Sequence, residues 1–168
     1  TTKRYAPYMT PYWAEDFQPD YIISADIATE SLFPDNAGIY KGRVDLGIDH
    51  HPSNSGFAKN TLLDPSCAAC GEIVYKLAME LNGRIDPETA KLLFIALTTD
   101  TGCFRYANTT ADTHRIAAAL IEAGAPGTEI NKKLFRTKTK SRVLIEAEML
   151  NNIEFTRDSQ IATVVITR

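Results

Sequence analysis

The chain has 168 residues, 44% hydrophobic and 23% charged, with a net charge of −3. That is enough for one ordinary domain and the start of another, and it excludes broad electrostatic attraction to nucleic acid or a membrane surface. An anionic ligand would therefore need a local positive centre such as a metal ion.

Three cysteines, no signal-peptide pattern and no long apolar run point to a soluble chain in a reducing, cytoplasmic setting. The chain opens at Thr1, without a methionine, and closes on the strand-like Val164-Val165-Ile166-Thr167-Arg168. Both ends read as cut, so a segment of a longer protein is expected.

Pro7, Pro11 and Pro19, interleaved with Tyr5, Tyr8, Tyr12 and Trp13, predict an irregular lead-in with one short helix near 12–17. Residues 21–25 read as a buried strand ending on Asp26. Residues 44–48, with Val44, Leu46 and Ile48 alternating, read as a second strand ending on Asp49. Between them a helix is expected to start over 29–33, followed by a loop through Pro34, Asn36 and Gly38. Pro52 to Gly56 is a turn segment, and Thr61-Leu62-Leu63 a third short strand.

A helix capped by Ser66 follows, with Ile73, Val74, Leu77, Ala78 and Leu81 on its inward face, and Asn82-Gly83 closes it. Asp86 and Pro87 mark the next helix as N-cap and first position. Ala90, Leu93, Phe94 and Leu97 line its inner face, and it is expected to stop near Thr98. A third helix spans 110–123 with Ile116, Leu120 and Ile121 inward, a fourth 127–135 and a fifth 139–150. After Asn151-Asn152 the period changes to two, which predicts a hairpin from 153–156 and 161–166 around Arg157, Asp158 and Ser159. The fold class is α/β, a mostly parallel sheet flanked by helices, ending in a linker helix and a β-hairpin. The expected division is a catalytic domain over 1–136, a linker helix over 137–152 and the opening of another domain over 153–168.

Asp26, Asp49, His50, His51 and Asp100 all stand where a regular element gives way to a loop. In open α/β sheets, ligands bind outside the carboxyl ends of the strands. Carboxylates with imidazoles and no thiolate suit manganese or magnesium better than structural zinc. An aspartate after a strand is also an ordinary turn residue, and a histidine pair an ordinary surface feature. The residues by themselves leave both readings open. Cys67-Ala68-Ala69-Cys70 has no second cysteine pair to complete a zinc site and reads as small residues on a buried helix start. His114 reads as a packing histidine.

Ile48-Asp49-His50-His51 resembles the signature of the DHH phosphoesterases. Ile23-Ser24-Ala25-Asp26 is similar to that family's second motif, and the run from Thr99 to Arg105 to its fourth. Asp112-Thr113-His114-Arg115 lies in a helix that the family shares. Within the family, the likeness is greatest to the bacterial subgroup that degrades very short RNAs and dephosphorylates 3′-phosphoadenosine 5′-phosphate. The resemblance implies two Mn²⁺ ions, with Mg²⁺ as the alternative. Asp26 would bridge them, and His50 and Asp100 would complete the second ion's shell. It implies that His51 faces the phosphate, that Asp49 supports the histidines and that Arg105 meets an anionic substrate. The implied partner is a short RNA or nucleotide, with no membrane; a homodimer is a further expectation. The family's first motif, a histidine with two aspartates, has no match before Asp26: Asp16 and Asp20 lack its surroundings. An N-terminally truncated domain, weak or inactive alone, is therefore expected. The alternatives are a non-catalytic nucleotide-binding or regulatory module of the same fold, and a cyclic-dinucleotide phosphodiesterase.

Overall fold

The computed structural model describes residues 18–166; the helix expected near 12–17 and the aromatic cluster around it lie outside them. The chain divides into two units, the first ending at Ile130 and the second beginning at Asn131.

In the first unit, β1 (Ile23–Ala25), β2 (Leu46–Asp49) and β3 (Asn60–Leu63) form a parallel sheet in the order β1-β2-β3. Ala25 pairs with Ile48 and Asp49 with Leu63, so the carboxyl ends of β1 and β2 lie side by side. The Asp26 amide donates to the Ile48 carbonyl at 2.9 Å, carrying the ladder one residue past β1. β2 starts later than the alternation from Val44 predicts, although Val44 is buried. At Asp45 the Ile22 amide is drawn to the carboxylate, which also accepts from Lys59 Nζ, while the Asp45 amide and carbonyl keep backbone bonds to Ile22 and Asn60. The expected helix at 29–33 is a single 3₁₀ turn, Glu30–Leu32. Pro34 requires extended backbone at Phe33, whose ψ is 133°, and stops the turn. The segment expected to be a loop is a second 3₁₀ stretch, Asp35–Tyr40.

Helix α1 is Cys70–Asn82, with Gly83 closing it in the left-handed conformation at φ 66°. Ser66 does not cap it. Ala69 holds the cap position, and Ser66 is bonded to Asp64 instead. Leu81, expected to face inward, is exposed in the final turn, beyond the core. Helix α2 is Pro87–Asp100, capped as expected by Asp86, whose Oδ1 accepts from the Glu88 and Thr89 amides. It runs on past Thr98, so Asp100 is a helical residue. Helix α3 (Ala111–Glu122) starts at a capping box between Thr110 and Thr113. Ile116 and Leu120 face inward, but Ile121 is exposed: one residue beyond Leu120 turns roughly 100° away. The short α4 (Gly127–Asn131) ends the unit.

One core cluster joins α1, α2 and α3 through Ala69, Ala90, Leu93, Phe94, Leu97, Ile116 and Leu120. A second, Ile48, Cys67, Cys70 and Ile73, seats α1 on the sheet.

In the second unit, a π turn (Lys132–Arg136) replaces the continued helix expected to 135. Helix α5 (Lys140–Asn151) is capped by Thr139 and is followed by β4 (Glu154–Thr156) and β5 (Ile161–Thr163), which pair antiparallel. Arg157, Asp158 and Ser159 turn the hairpin with positive φ. β5 stops at Thr163, short of the strand expected to 166. Among the described residues, no helix is long and apolar enough to cross a membrane.

Helix α1 packs tightly on α2 at Gly71, where an added Cβ would stand 2.9 Å from Ala96 Cβ and 3.1 Å from Leu97 Cδ1. Gly71→Ala is expected to destabilise the fold despite the better helix former. Overpacking costs about 1–3 kcal/mol, against a propensity gain of at most about 1 kcal/mol. A lower urea midpoint at an unchanged m-value checks this.

Candidate metal centre

The site lies where β1, β2 and α2 end together. Asp26 follows β1 directly and takes a left-handed backbone, φ 63°. This conformation is uncommon for a residue with a Cβ, though aspartate adopts it more readily than most. Asp49 is the last residue of β2 and only 1% exposed. His50 and His51 leave the strand, and Asp100 closes α2.

His50 Nδ1 is 3.1 Å from the Cys67 carbonyl oxygen. A carbonyl only accepts, so Nδ1 carries the hydrogen. Nε2 then faces Asp26 Oδ1 at 3.4 Å and Asp100 Oδ2 at 3.7 Å. Two carboxylates converging on one ring nitrogen need a positive centre between them, either a proton or a metal ion. Burial, and then the charge of Asp26, hold the Asp100 carboxyl above its ordinary range. Asp26, His50 and His51 each place a ligand atom within 4.8 Å of one another.

His51 has a different partner. Its Nδ1 is 2.7 Å from Asp49 Oδ1 and 3.9 Å from Asp26 Oδ1. The bond to Asp49 raises the His51 imidazole above its usual pKa, against the opposing effect of burial. Burial pushes the Asp49 carboxyl up, but hydrogen bonds from Asn54, His51 and the His50 amide outweigh it, and the group titrates below the usual range. The bond between Asp49 and His51 thus favours the ionised form of each, with His51 on the solvent side at 43% exposure. The two histidine rings are 4.4 Å apart and tilted by 58°, so adjacent residues serve different faces.

All five expected carboxylate and histidine positions therefore come together. Arg105 stands on the loop after α2, exposed, with its Nε donating to the Gly102 carbonyl at 2.9 Å. That loop holds three successive left-handed residues, Gly102, Cys103 and Phe104. Only glycine fits the first of them, since a Cβ would lie 2.3 Å from the Tyr106 ring. His114 stacks on Phe104 at 5.4 Å, a packing role.

Three contributors had no distinctive signal in the sequence: Asn54, Asn108 and the Cys67 carbonyl. Asn54 donates to Asp49, and Asn108 donates to the carbonyls of Ala68 and Asp100, tying the end of α2 to the segment that orients His50. Asparagine is common in turns, and a backbone carbonyl has no residue type.

The Cys67 and Cys70 thiols are donors, to Asp64 Oδ2 and to the Ile48 carbonyl. Burial pushes them up to about 12 and about 11. Neutral, buried thiols are poor nucleophiles and poor metal ligands. At pH 8 the folded chain is expected to leave Cys67 and Cys70 unmodified by iodoacetamide, whereas the urea-unfolded chain takes up label at both; peptide mass spectrometry reads the difference.

Asp64 begins the turn that leads to Cys67. Hydrogen bonds from Ser66 and Cys67 lower its carboxyl to about 2 from 3.8. A depressed folded pKa means that its contribution to stability is present above 3.8 and is lost as pH falls towards about 2. Asp64→Asn should flatten that acid limb relative to wild type and leave the neutral region parallel. Urea unfolding between pH 2 and 7 tests it.

No protein-family model matches the chain. The "Bifunctional oligoribonuclease and PAP phosphatase NrnA" of Thermus thermophilus is 34% identical over 111 residues, which is 66% of this chain and 34% of that protein. The protein of the same name from Bacillus subtilis is 27% identical over 127 residues, 74% of this chain and 40% of that one. The chain thus spans between a third and two fifths of the length of these relatives. An exopolyphosphatase-related protein from Bacteroides fragilis superposes with a TM-score of 0.74 over 83% of this chain and 42% of its own; at 24% identity it speaks to the fold alone. With Asp49-His50-His51 at the end of β2 and Asp26 beside it, the chain is thus similar, over about a third of their length, to proteins named for oligoribonuclease and PAP phosphatase activity.

Proposed function

We propose that this site binds a divalent cation, Mn²⁺ with Mg²⁺ as the alternative. The chain would then be the metal-binding part of an enzyme that hydrolyses short oligoribonucleotides or 3′-phosphoadenosine 5′-phosphate. The observation that carries the reading is the convergence of Asp26 and Asp100 on His50 Nε2, with the other ring nitrogen held by a carbonyl. A ligating histidine is oriented in the same manner, by a bond to its second nitrogen. Relatives named for oligoribonuclease and PAP phosphatase activity support the substrate class.

Asp26, His50 and Asp100 would hold the ion. Oxygen and imidazole donors without thiolate suit these metals. When bound, such an ion polarises a phosphoryl oxygen and lowers the pKa of a coordinated water. His51 is spent on Asp49 through Nδ1, which leaves Nε2 on the exposed side of the ring. As an imidazolium it presents an N–H there, able to donate to a phosphate oxygen or to protonate a leaving oxygen. Asp49 keeps that proton in place by stabilising the charged ring. The exposed guanidinium of Arg105 is the remaining cationic contact for an anionic substrate. A cytoplasmic setting accords with three free cysteines.

The test is hydrolysis of a diadenylate and of 3′-phosphoadenosine 5′-phosphate by the chain with and without Mn²⁺, beside His50→Ala. Product should need the metal, and His50→Ala should lower the rate by about 100-fold or more, the upper range for a lost metal-site group. Turnover by the chain alone is expected to be slow, since it spans about a third of its relative's length; product formed equally without metal, or Mn²⁺ binding that His50→Ala leaves unchanged, would overturn the reading.

A further inference from the structure

Asp26 and the Asp49–His51 pair come from different strands, and the ladder between those strands ends at the bond from the Asp26 amide to the Ile48 carbonyl. Past that bond the backbone turns left-handed and leaves the sheet. What holds the chain beyond Asp26 is the turn that follows the histidines. The Ser55 amide donates to the Ala28 carbonyl at 2.9 Å, and Ser55 Oγ donates to the same oxygen at 3.3 Å. One residue earlier, Asn54 Nδ2 donates to the Ile27 carbonyl at 3.4 Å and to Asp49 Oδ2 at 2.6 Å.

Both of those partners are acceptors, so the amide end of Asn54 must point at them. Its oxygen faces the other way and accepts from the Gly56 amide at 2.8 Å. Every polar atom of the side chain is thereby assigned, with no alternative orientation that keeps the bonds. Asp49 Oδ1 is already taken by the His50 amide and His51 Nδ1, and Asn54 serves the other carboxylate oxygen.

We infer that Asn54 is a positioning residue of this centre: one side-chain amide joins the Asp49 carboxylate to the loop of Asp26 and so sets how the ligands of β1 stand against those of β2. The inference rests on the reading of the site as a metal centre. It adds a residue that touches neither a converging nitrogen nor a substrate, and it gives the Pro52–Gly56 turn a task other than connection.

Two variants separate the effect. Asn54→Ala removes the bridge. Asn54→Asp keeps the size of the side chain and the acceptor for Gly56, but sets an oxygen against Asp49 Oδ2. Each is expected to weaken Mn²⁺ binding by about 10-fold or more, the usual effect of losing an outer partner of a metal ligand. The exchange Asp49→Asn with Asn54→Asp restores a donor–acceptor pair between residues 49 and 54 but leaves an oxygen against the Ile27 carbonyl, so it should stay weak. The probe is Mn²⁺ alone with the full chain, followed by loss of the free-ion electron paramagnetic resonance signal at a temperature where circular dichroism shows each variant folded. If wild type binds Mn²⁺ and Asn54→Asp binds it equally well, Asn54 is not a positioning residue. An exchange variant that binds Mn²⁺ as tightly as wild type also overturns the inference. Failure of wild type itself to bind would instead remove the metal centre on which the inference stands.

Discussion

The buried carboxylate of Asp49 is the constraint on which the rest of this site depends. A charge at 1% exposure is tolerated only when its oxygens are fully engaged. Here one oxygen accepts from the His50 amide and His51 Nδ1, and the other from Asn54. Each bond to an ionised group contributes about 1.5–3 kcal/mol, and losing one leaves buried charge unpaired. The need to satisfy Asp49 therefore dictates the local structure. It turns the backbone at His50 back on the carboxylate, orients the His51 ring, and draws the following turn close enough to hold the Asp26 loop.

The helical layer serves the same end from the other side. The Cys67 carbonyl can orient His50 because the segment around it is seated in a core of Ile48, Cys70 and Ile73. Asp100 reaches His50 because α2 extends past Thr98, its inner face held by Leu93, Phe94 and Leu97 against α1 and α3. Glu72, itself only 1% exposed, accepts from Thr113 Oγ1 at 2.6 Å, so the residue that caps α3 also ties it to α1. Small residues let these helices approach closely, Gly71 above all. The polar site is thus a rim on a tightly packed helix layer.

Much of the fold was legible in the residues because the signals are local. An apolar run over 21–25 and alternation over 44–48 mark strands, Asp86-Pro87 a helix start and Gly83 a helix end, since each follows from the backbone preferences of a few neighbours. But the first strand is only Ile23–Ala25 and is exposed at Ile23, not buried as expected, because it is the edge of the sheet. The errors were also local in kind. Ser66 has the chemistry of a cap but found a nearer partner in Asp64. Ile121 and Leu81 have the apolar character of core residues, but Ile121 turns away from the core and Leu81 lies beyond it. β2 begins one residue after Asp45, whose carboxylate takes the Ile22 amide.

By itself the sequence determined the element types, most helix boundaries and the chemistry of the site: carboxylates and imidazoles at the ends of elements, with the Asp-His-His run naming the family they resemble. Only the tertiary structure decided which nitrogen of each histidine is free, because that depends on a carbonyl 17 residues away for His50 and on a buried carboxylate for His51. It buries Asp49 and leaves Asp26 half-exposed, a difference between two aspartates at similar strand ends that no local pattern sets. And it alone brought Asn54 into the centre. Burial and hydrogen-bond partnership are properties of where distant segments meet, and no spacing along the chain encodes them directly.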